Sequence, residues 1–199
     1  MPEILCIGGS PRKGGNADIL ITHFLKGAGA GGITAEAVQL RDCVFQSCTG
    51  CEKCRRDKAC TGLQDAMQSV YPKIIEAGGL ILVSPVHHYN VTAMMKAFID
   101  RLYCFYDFDD TRPGSWSSRL ANQGRKAVIA VAAEQKSLED SGADLALKAM
   151  RLPLEALGYE VIGELPVTGI FARGQIAEHP EILERAEEMG RRLGEGVGR

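Results

Sequence analysis

An α/β fold, built as a doubly wound parallel sheet of five strands with helices on both faces, is predicted by three observations on this 199-residue sequence. Short apolar runs alternate with longer stretches whose apolar residues recur at i, i+3, i+4 and i+7, the mark of successive strand–helix units. The first run is continuously apolar and closes on Gly8 and Gly9, as a strand covered on both faces requires. A composition of 45% hydrophobic and 24% charged residues suits one sizeable core.

Glu3 to Ile7 is the first strand. A helix follows from Asn16, read as its N-cap, with Leu20, Ile21, Phe24, Leu25 and Ala28 on one face until Gly29, Gly31 and Gly32 end the pattern. Ile33 to Leu40 reads as the second strand. Leu63, Ala66, Met67, Val70, Tyr71, Ile74 and Ile75 give an amphipathic helix, in which Pro72 predicts a kink or a fresh start. Gly79 to Val83 is the third strand, Val91 to Phe105 the next helix and Ala127 to Ala132 the fourth strand. Asp144 to Leu157 is a helix bent at Pro153 and stopped by Gly158, and Tyr159 to Ile162 leads into the fifth strand. Pro180 and Glu181 in the first turn, with Arg191 and Arg192 near the end, match the macrodipole of a closing helix.

A five-stranded sheet whose first loop holds a ligand fits the flavodoxin-like order 2-1-3-4-5, with that ligand beyond the carboxyl ends of the strands. No repeat or linker interrupts the pattern, so residues 1–199 are expected to form a single domain with a cysteine-rich loop at 43–62. Tyr106 to Gln123, rich in Asp, Arg, Gly and Ser, reads as a surface excursion or a partner contact.

With 23 Lys and Arg against 25 Asp and Glu, the net charge of -2 gives no electrostatic case for a nucleic-acid partner. No apolar run reaches the roughly 20 residues needed to span a bilayer, so no membrane partner is expected. Met1-Pro2-Glu3 leads into a strand rather than a basic, then apolar, export signal, which points to the cytoplasm. In a reducing compartment the seven cysteines point to metal or redox chemistry rather than disulfides. Cys6 and Cys104 stand alone in apolar surroundings and read as core.

The loop from Gly8 to Asn16 joins a buried strand to a helix start, where free amides and the helix dipole favour a phosphate. It lacks G-x-G-x-x-G, and Gly15 and Asn16 follow Gly14 where a P-loop needs Lys and then Ser or Thr, which disfavours dinucleotide and nucleoside triphosphate sites. The alternative is a tight turn with a solvated basic pair.

The pattern Gly-x-Ser-x-Arg-x-x-Gly-Asn, with Ser84-Pro85-Val86 after the third strand and Met95-Lys96-Ala97-Phe98-Ile99-Asp100-Arg101 in the next helix, resembles the NADPH-dependent FMN reductase family. The resemblance covers at least Ile4 to Arg101 and implies an FMN-binding, flavodoxin-like domain. It implies a phosphate resting on Ser10, Arg12, Gly15, Asn16 and Ala17, and an isoalloxazine ring on Pro85, Val86, His87, His88, Tyr89 and Asn90. Two departures stand out: Ala17 offers only an amide where members usually carry Ser or Thr, and His87-His88-Tyr89 replaces aromatic residues and Gly. A histidine there serves either the flavin or the cap of the following helix. Ala133-Glu134-Gln135 replaces a glycine pair common in relatives and is not counted as a flavin contact.

Cys48-x2-Cys51-x2-Cys54-x5-Cys60 places four soft ligands in one short loop. The compact C-x2-C-x2-C start favours a cubane cluster, with zinc and unligated thiols as the alternatives. Cys43 falls outside the register. The same spacing in the same place resembles the iron-sulfur flavoproteins, a branch of that family, which implies a [4Fe-4S] cluster on Cys48, Cys51, Cys54 and Cys60. It also implies a homodimer or homotetramer that brings one subunit's cluster near another's flavin. Lys53, Arg55, Arg56 and Lys58 either offset the charge of such a cluster or form a solvated basic loop.

The expected activity is an FMN-dependent oxidoreductase that passes electrons between FMN and the cluster, to a redox partner protein or a small acceptor. NAD(P)H or a reduced ferredoxin is the expected electron source. No side chain is assigned as general acid or base. The alternatives are an NAD(P)H-dependent FMN or quinone reductase without a cluster and a non-catalytic flavodoxin-like electron carrier. Tyr103, Phe105, Tyr106, Phe108 and Trp116 gather near the irregular segment, either as an oligomer contact or buried beneath it.

Overall fold

The computed structural model describes residues 3–109 and 114–197. The main sheet holds β1 (Ile4–Gly8), β2 (Ala35–Gln39), β3 (Gly79–His87), β7 (Lys126–Ala132) and β8 (Glu160–Val167), after the short strands β4 (Asn90–Val91), β5 (Tyr106–Phe108) and β6 (Trp116–Ser118) are set aside. Its order is β2-β1-β3-β7-β8, every pairing on this path is parallel, and β4 adds antiparallel to the end of β3. This is the flavodoxin-like order that the alternation predicts.

Side chains alternate across β1, so Leu5 and Ile7 face one layer while Ile4 and Cys6 face the other. The first layer is packed by α3 (Met67–Glu76), α4 (Ala93–Arg101) and α6 (Ala143–Leu157), and the second by α1 (Asn16–Gly29) and α7 (Pro180–Val197). Short helices α2 (Lys53–Asp57) and α5 (Leu138–Ser141) lie in connections. Close approach of α1 and α7 depends on Gly27 and Gly190, since a Cβ on either would run into the Glu187 or Phe24 carbonyl of the facing helix. Among the described residues no helix is long and apolar enough to cross a membrane.

Several sequence-based boundaries move. Gly15, not Asn16, is the N-cap of α1, and Asn16 is its first helical residue. The helix expected from Leu63 starts at Met67, where the Asp65 carboxylate accepts the Met67 amide, and it runs through Pro72. The helix expected over Val91 to Phe105 begins at Ala93 and gives way to a 3-10 turn over Leu102–Phe105. The second strand is shorter than Ile33 to Leu40, whereas the third and fifth are longer than expected because β3 and β8 keep pairing with β7 as far as Pro85 and Val167. Within the irregular stretch β5 and β6 form a small antiparallel sheet. Residues 110–113 of that stretch, like the Met1-Pro2 opening, lie outside the described residues. Phe105 is buried in the core, whereas Trp116 is exposed and packs edge-on to Tyr106 at 5.1 Å.

Candidate functional site

A cavity of about 540 Å³ opens beyond the carboxyl ends of β1, β3 and β7. It lies where the connections from β1 to β2 and from β2 to β3 run to opposite sides of β1, the switch point at which open α/β sheets bind ligands. One end is the turn after β1. Ser10 is buried there, and its Oγ accepts the Arg12 amide at 3.2 Å. Asp18 accepts the Gly14 amide at 2.7 Å and is paired by both Nη atoms of Arg41, at 2.8 and 2.9 Å. Arg41 also donates to the Ser10 carbonyl at 3.3 Å, so the turn is braced from behind. The first turn of α1 closes on the Gly15 carbonyl, which accepts from Asp18 and Ile19 and leaves the amides of Gly15, Asn16 and Ala17 without a partner within the helix.

The other wall is the β3–β4 hairpin. His88 and Tyr89 have φ of 46° and 68°, the paired left-handed conformation of a two-residue hairpin turn, adopted here by two residues with full side chains. Thr92 fixes the hairpin to the turn: its Oγ1 donates to the Gly9 carbonyl at 2.7 Å and accepts the Met95 amide at 3.2 Å. Thr92 is therefore the cap of α4, and neither His87 nor His88 takes that role.

Of the residues expected to hold the cofactor, Ser10, Arg12, Gly15, Asn16, Ala17, Pro85, Val86, His87, His88 and Tyr89 line this cavity together. Asn90 does not line it: its Oδ1 accepts the Val91 amide at 2.8 Å, and the residue pairs with His87 across the hairpin. Glu134 and Gln135, left out on sequence grounds, do line the cavity, as do Asp140, Ser141, Phe171 and Arg173. Nothing local in the sequence marks this last group, because loops after β7 and β8 bring it in.

A second cavity, of about 310 Å³, is lined by Cys48, Cys51, Cys54 and Cys60 together with Gly62, Arg101 and Tyr103. Cys48 and Cys51 are exposed, while Cys54 and Cys60 are half-buried. The Lys53 amide holds the Cys51 thiol below its ordinary value, and burial followed by the charges of Cys60 and Cys48 pushes Cys54 up. Cys104, buried behind the loop, is pushed up to about 12 by burial and by its neighbours Cys60 and Cys54. Four soft thiols are a suitable donor set for iron, yet among the described residues no group of three or more His, Cys, Asp or Glu could hold a metal ion.

The basic residues of the loop are mostly engaged elsewhere. Arg55 lies 4.6 Å from the Phe108 ring centroid and donates to the Asp109 carbonyl, Arg56 pairs with Asp57, and Lys58 pairs with Asp107 at 2.8 Å. The cation built into the cavity wall is instead Arg101, whose side chain is 1% exposed. It forks onto Asp65 at 2.7 and 3.1 Å, donates to the Gln46 carbonyl at 2.8 Å and reaches the Tyr71 hydroxyl at 3.0 Å. Burial alone would raise Asp65, but Arg101 and the Gln46 and Met67 amides outweigh it and hold the carboxyl below its usual range. In the sequence Arg101 stands within the 95–101 segment with nothing to mark its role, since its partner lies in a separate loop.

Residues 2–165 match the sequence model described as NADPH-dependent FMN reductase. An iron-sulfur flavoprotein of Archaeoglobus fulgidus is 30% identical over 187 residues, covering 94% of this chain and 76% of its own. One from Methanocaldococcus jannaschii is 34% identical over 99 residues, about half of each chain at 50% and 51%. Among solved structures, an NAD(P)H:quinone oxidoreductase from Methanothermobacter marburgensis superposes with a TM-score of 0.71 at 19% identity, covering 96% of this chain and 98% of its own.

Proposed function

The chain belongs to the NADPH-dependent FMN reductase family and is therefore a flavin-dependent oxidoreductase, and we propose that it holds FMN in the larger cavity and passes electrons through an iron-sulfur cluster on Cys48, Cys51, Cys54 and Cys60. The observation that carries the proposal is that all four of these thiols line one cavity, in a chain whose first turn leaves free helix-start amides beside a second, larger one. A cubane spreads its four thiolates around a body, one to each iron, so its ligands need not converge on a point as those of a single ion must. Bound FMN accepts electrons in pairs and releases them singly, and a cluster carries one at a time.

The chain's own residues bind and orient. The Gly15, Asn16 and Ala17 amides, the Ser10 hydroxyl and the Arg12 guanidinium take the phosphate at the positive end of α1. The hairpin from Pro85 to Tyr89 supplies a wall for the ring that is locked by its own turn and by Thr92, so little ordering remains to be done on binding. His87 and His88 are exposed beside that wall and stand within reach of a reductant or acceptor. NAD(P)H or a reduced ferredoxin supplies the electrons, and a partner protein or small acceptor receives them. Trp116 and the paired strands β5 and β6 form the contact of a homodimer or homotetramer.

Anaerobic purification followed by flavin, iron and sulfide analysis, with visible and paramagnetic resonance spectra, tests the reading. Expected are one FMN and about four irons per chain. FMN without iron, after anaerobic reconstitution has also been attempted, would overturn the cluster. It would leave an NAD(P)H-dependent FMN or quinone reductase, the reading favoured by the two exposed thiols and the lack of a closed metal site among the described residues.

A further inference from the structure

The turn after β1 is tied to the loop after β8. Arg12 donates to the Phe171 carbonyl at 3.3 Å, and its guanidinium lies 5.4 Å from the Phe171 ring centroid. Asn16 donates to the Ala172 carbonyl at 3.0 Å and accepts the Ile176 amide at 3.1 Å. Gln175 accepts the amides of Phe171 and Ala172, both at 3.0 Å, which fixes the shape of the loop itself.

Arg173 projects from this braced loop into the cavity that holds Ser10, Arg12 and Asn16. A Cβ built on Gly14, whose φ is 66°, would lie 3.1 Å from Arg173 Nη2, so the guanidinium rests against the turn itself. Among the described residues Arg173 has no hydrogen bond and no ion pair, whereas Arg12, Arg41, Arg101 and Arg119 are all engaged. Ala17 brings no polar side-chain atom to the site, so the turn's own side chains leave room for a second cation. A planar fork of donors exposed beside a helix N-terminus and lining the same cavity matches a phosphate.

We infer that Arg173 binds the phosphate of FMN, closing the phosphate site from the side of the β8 loop. The inference rests on the FMN reading above. Its test is fluorescence titration of the apoprotein with FMN and with riboflavin, which lacks the phosphate, for the wild type, Arg173→Gln and Arg173→Lys. Arg173→Gln is expected to weaken FMN about tenfold while leaving riboflavin affinity unchanged, since a charge-assisted hydrogen bond of this kind is worth about that factor. Arg173→Lys is expected to recover part of the loss. Unchanged riboflavin binding also reports that the variant is folded.

An Arg173→Gln protein that prefers FMN over riboflavin as strongly as the wild type overturns the inference and leaves the FMN reading standing. Equal weakening of both ligands overturns it too, as a structural effect. Loss of discrimination between NADPH and NADH with FMN affinity intact assigns the residue to the reductant's phosphate and likewise overturns it. A wild type that binds neither flavin defeats the FMN reading and this inference together.

Discussion

Asp65→Asn is predicted to cost about 3–5 kcal/mol of folding stability, the cost of leaving a buried charge without its partner. The magnitude follows from burial: the Arg101 side chain is 1% exposed and that of Asp65 10%, so water cannot replace the lost carboxylate. Asn keeps an acceptor for only one of the Gln46 and Met67 amides and turns its NH2 toward the other, so a lost backbone hydrogen bond adds to the lost ion pair. For a chain of this length the change lowers the melting temperature by about 6–20 °C. Urea unfolding of the metal-free protein at neutral pH measures it without interference from cofactor loss. The sign of the pH dependence is fixed as well. Asp65 is held below its ordinary value in the folded state, so its contribution is complete above the unfolded value of about 3.9 and is lost as pH falls through the folded one. The gap between wild type and variant should therefore start to close as pH drops below about 5 and keep closing below the unfolded value of about 3.9, as the folded-state carboxyl takes up its proton. A loss under about 1 kcal/mol at neutral pH, or a gap that stays constant into acid, would refute the buried-pair argument.

Gly190→Ala should destabilise by about 1–3 kcal/mol, because its methyl group meets the Phe24 backbone and α1 cannot move without disturbing the turn after β1; thermal melts of the apoprotein measure this. Thr92→Ala removes the cap of α4 and the bond to the Gly9 carbonyl, with an expected loss of about 1–2 kcal/mol and weaker FMN retention on gel filtration. Gly62→Ala places a Cβ 2.6 Å from the Cys51 sulfur, so iron per flavin should fall while flavin per chain holds; an unchanged iron-to-flavin ratio would count against the second cavity as the cluster site.

The strands were readable from sequence because those covered on both faces have to be continuously apolar, and Leu5 and Leu80 on one face and Ile4 and Ile81 on the other are all buried as that rule demands; their order followed from the few orders open to a five-stranded doubly wound sheet. Helix faces were readable for the same reason: Leu20, Ile21 and Phe24 recur at helical spacing and face the core. Strand ends were not, since Ser84 and Pro85 extend β3 through backbone pairing with β7, which side-chain polarity does not report. The β5–β6 pair hid in a segment rich in Asp and Ser for a similar reason. Half of the larger cavity was legible as a loop motif. Asp140, Ser141, Phe171 and Arg173 were not, because they converge only after β7 and β8 are laid beside β3. Arg101 and Asp65 stand 36 residues apart, and no local pattern ties a cation to a carboxylate at that distance.

Helix α4 connects the two cavities. Its cap, Thr92, is bonded to the turn after β1, and its last residue, Arg101, lines the cysteine cavity, so nine helical residues set a separation of about 13 Å. Both ends are fixed by side-chain bonds to loops, and the face between them, Met95, Phe98 and Ile99, is packed in the core. A strut of this kind holds the sites at constant spacing without transmitting changes from one to the other. Thr92→Ala and Asp65→Asn act at its opposite ends, share no hydrogen-bond partner, and should therefore add to within about 0.5 kcal/mol in a double-mutant cycle. The cycle is measured by urea unfolding, with flavin and iron content as separate readouts. Each single variant should affect mainly the content of its own cavity. A coupling above about 1 kcal/mol, or loss of flavin on Asp65→Asn, would mean that α4 moves as a lever and that the two sites sense each other through it.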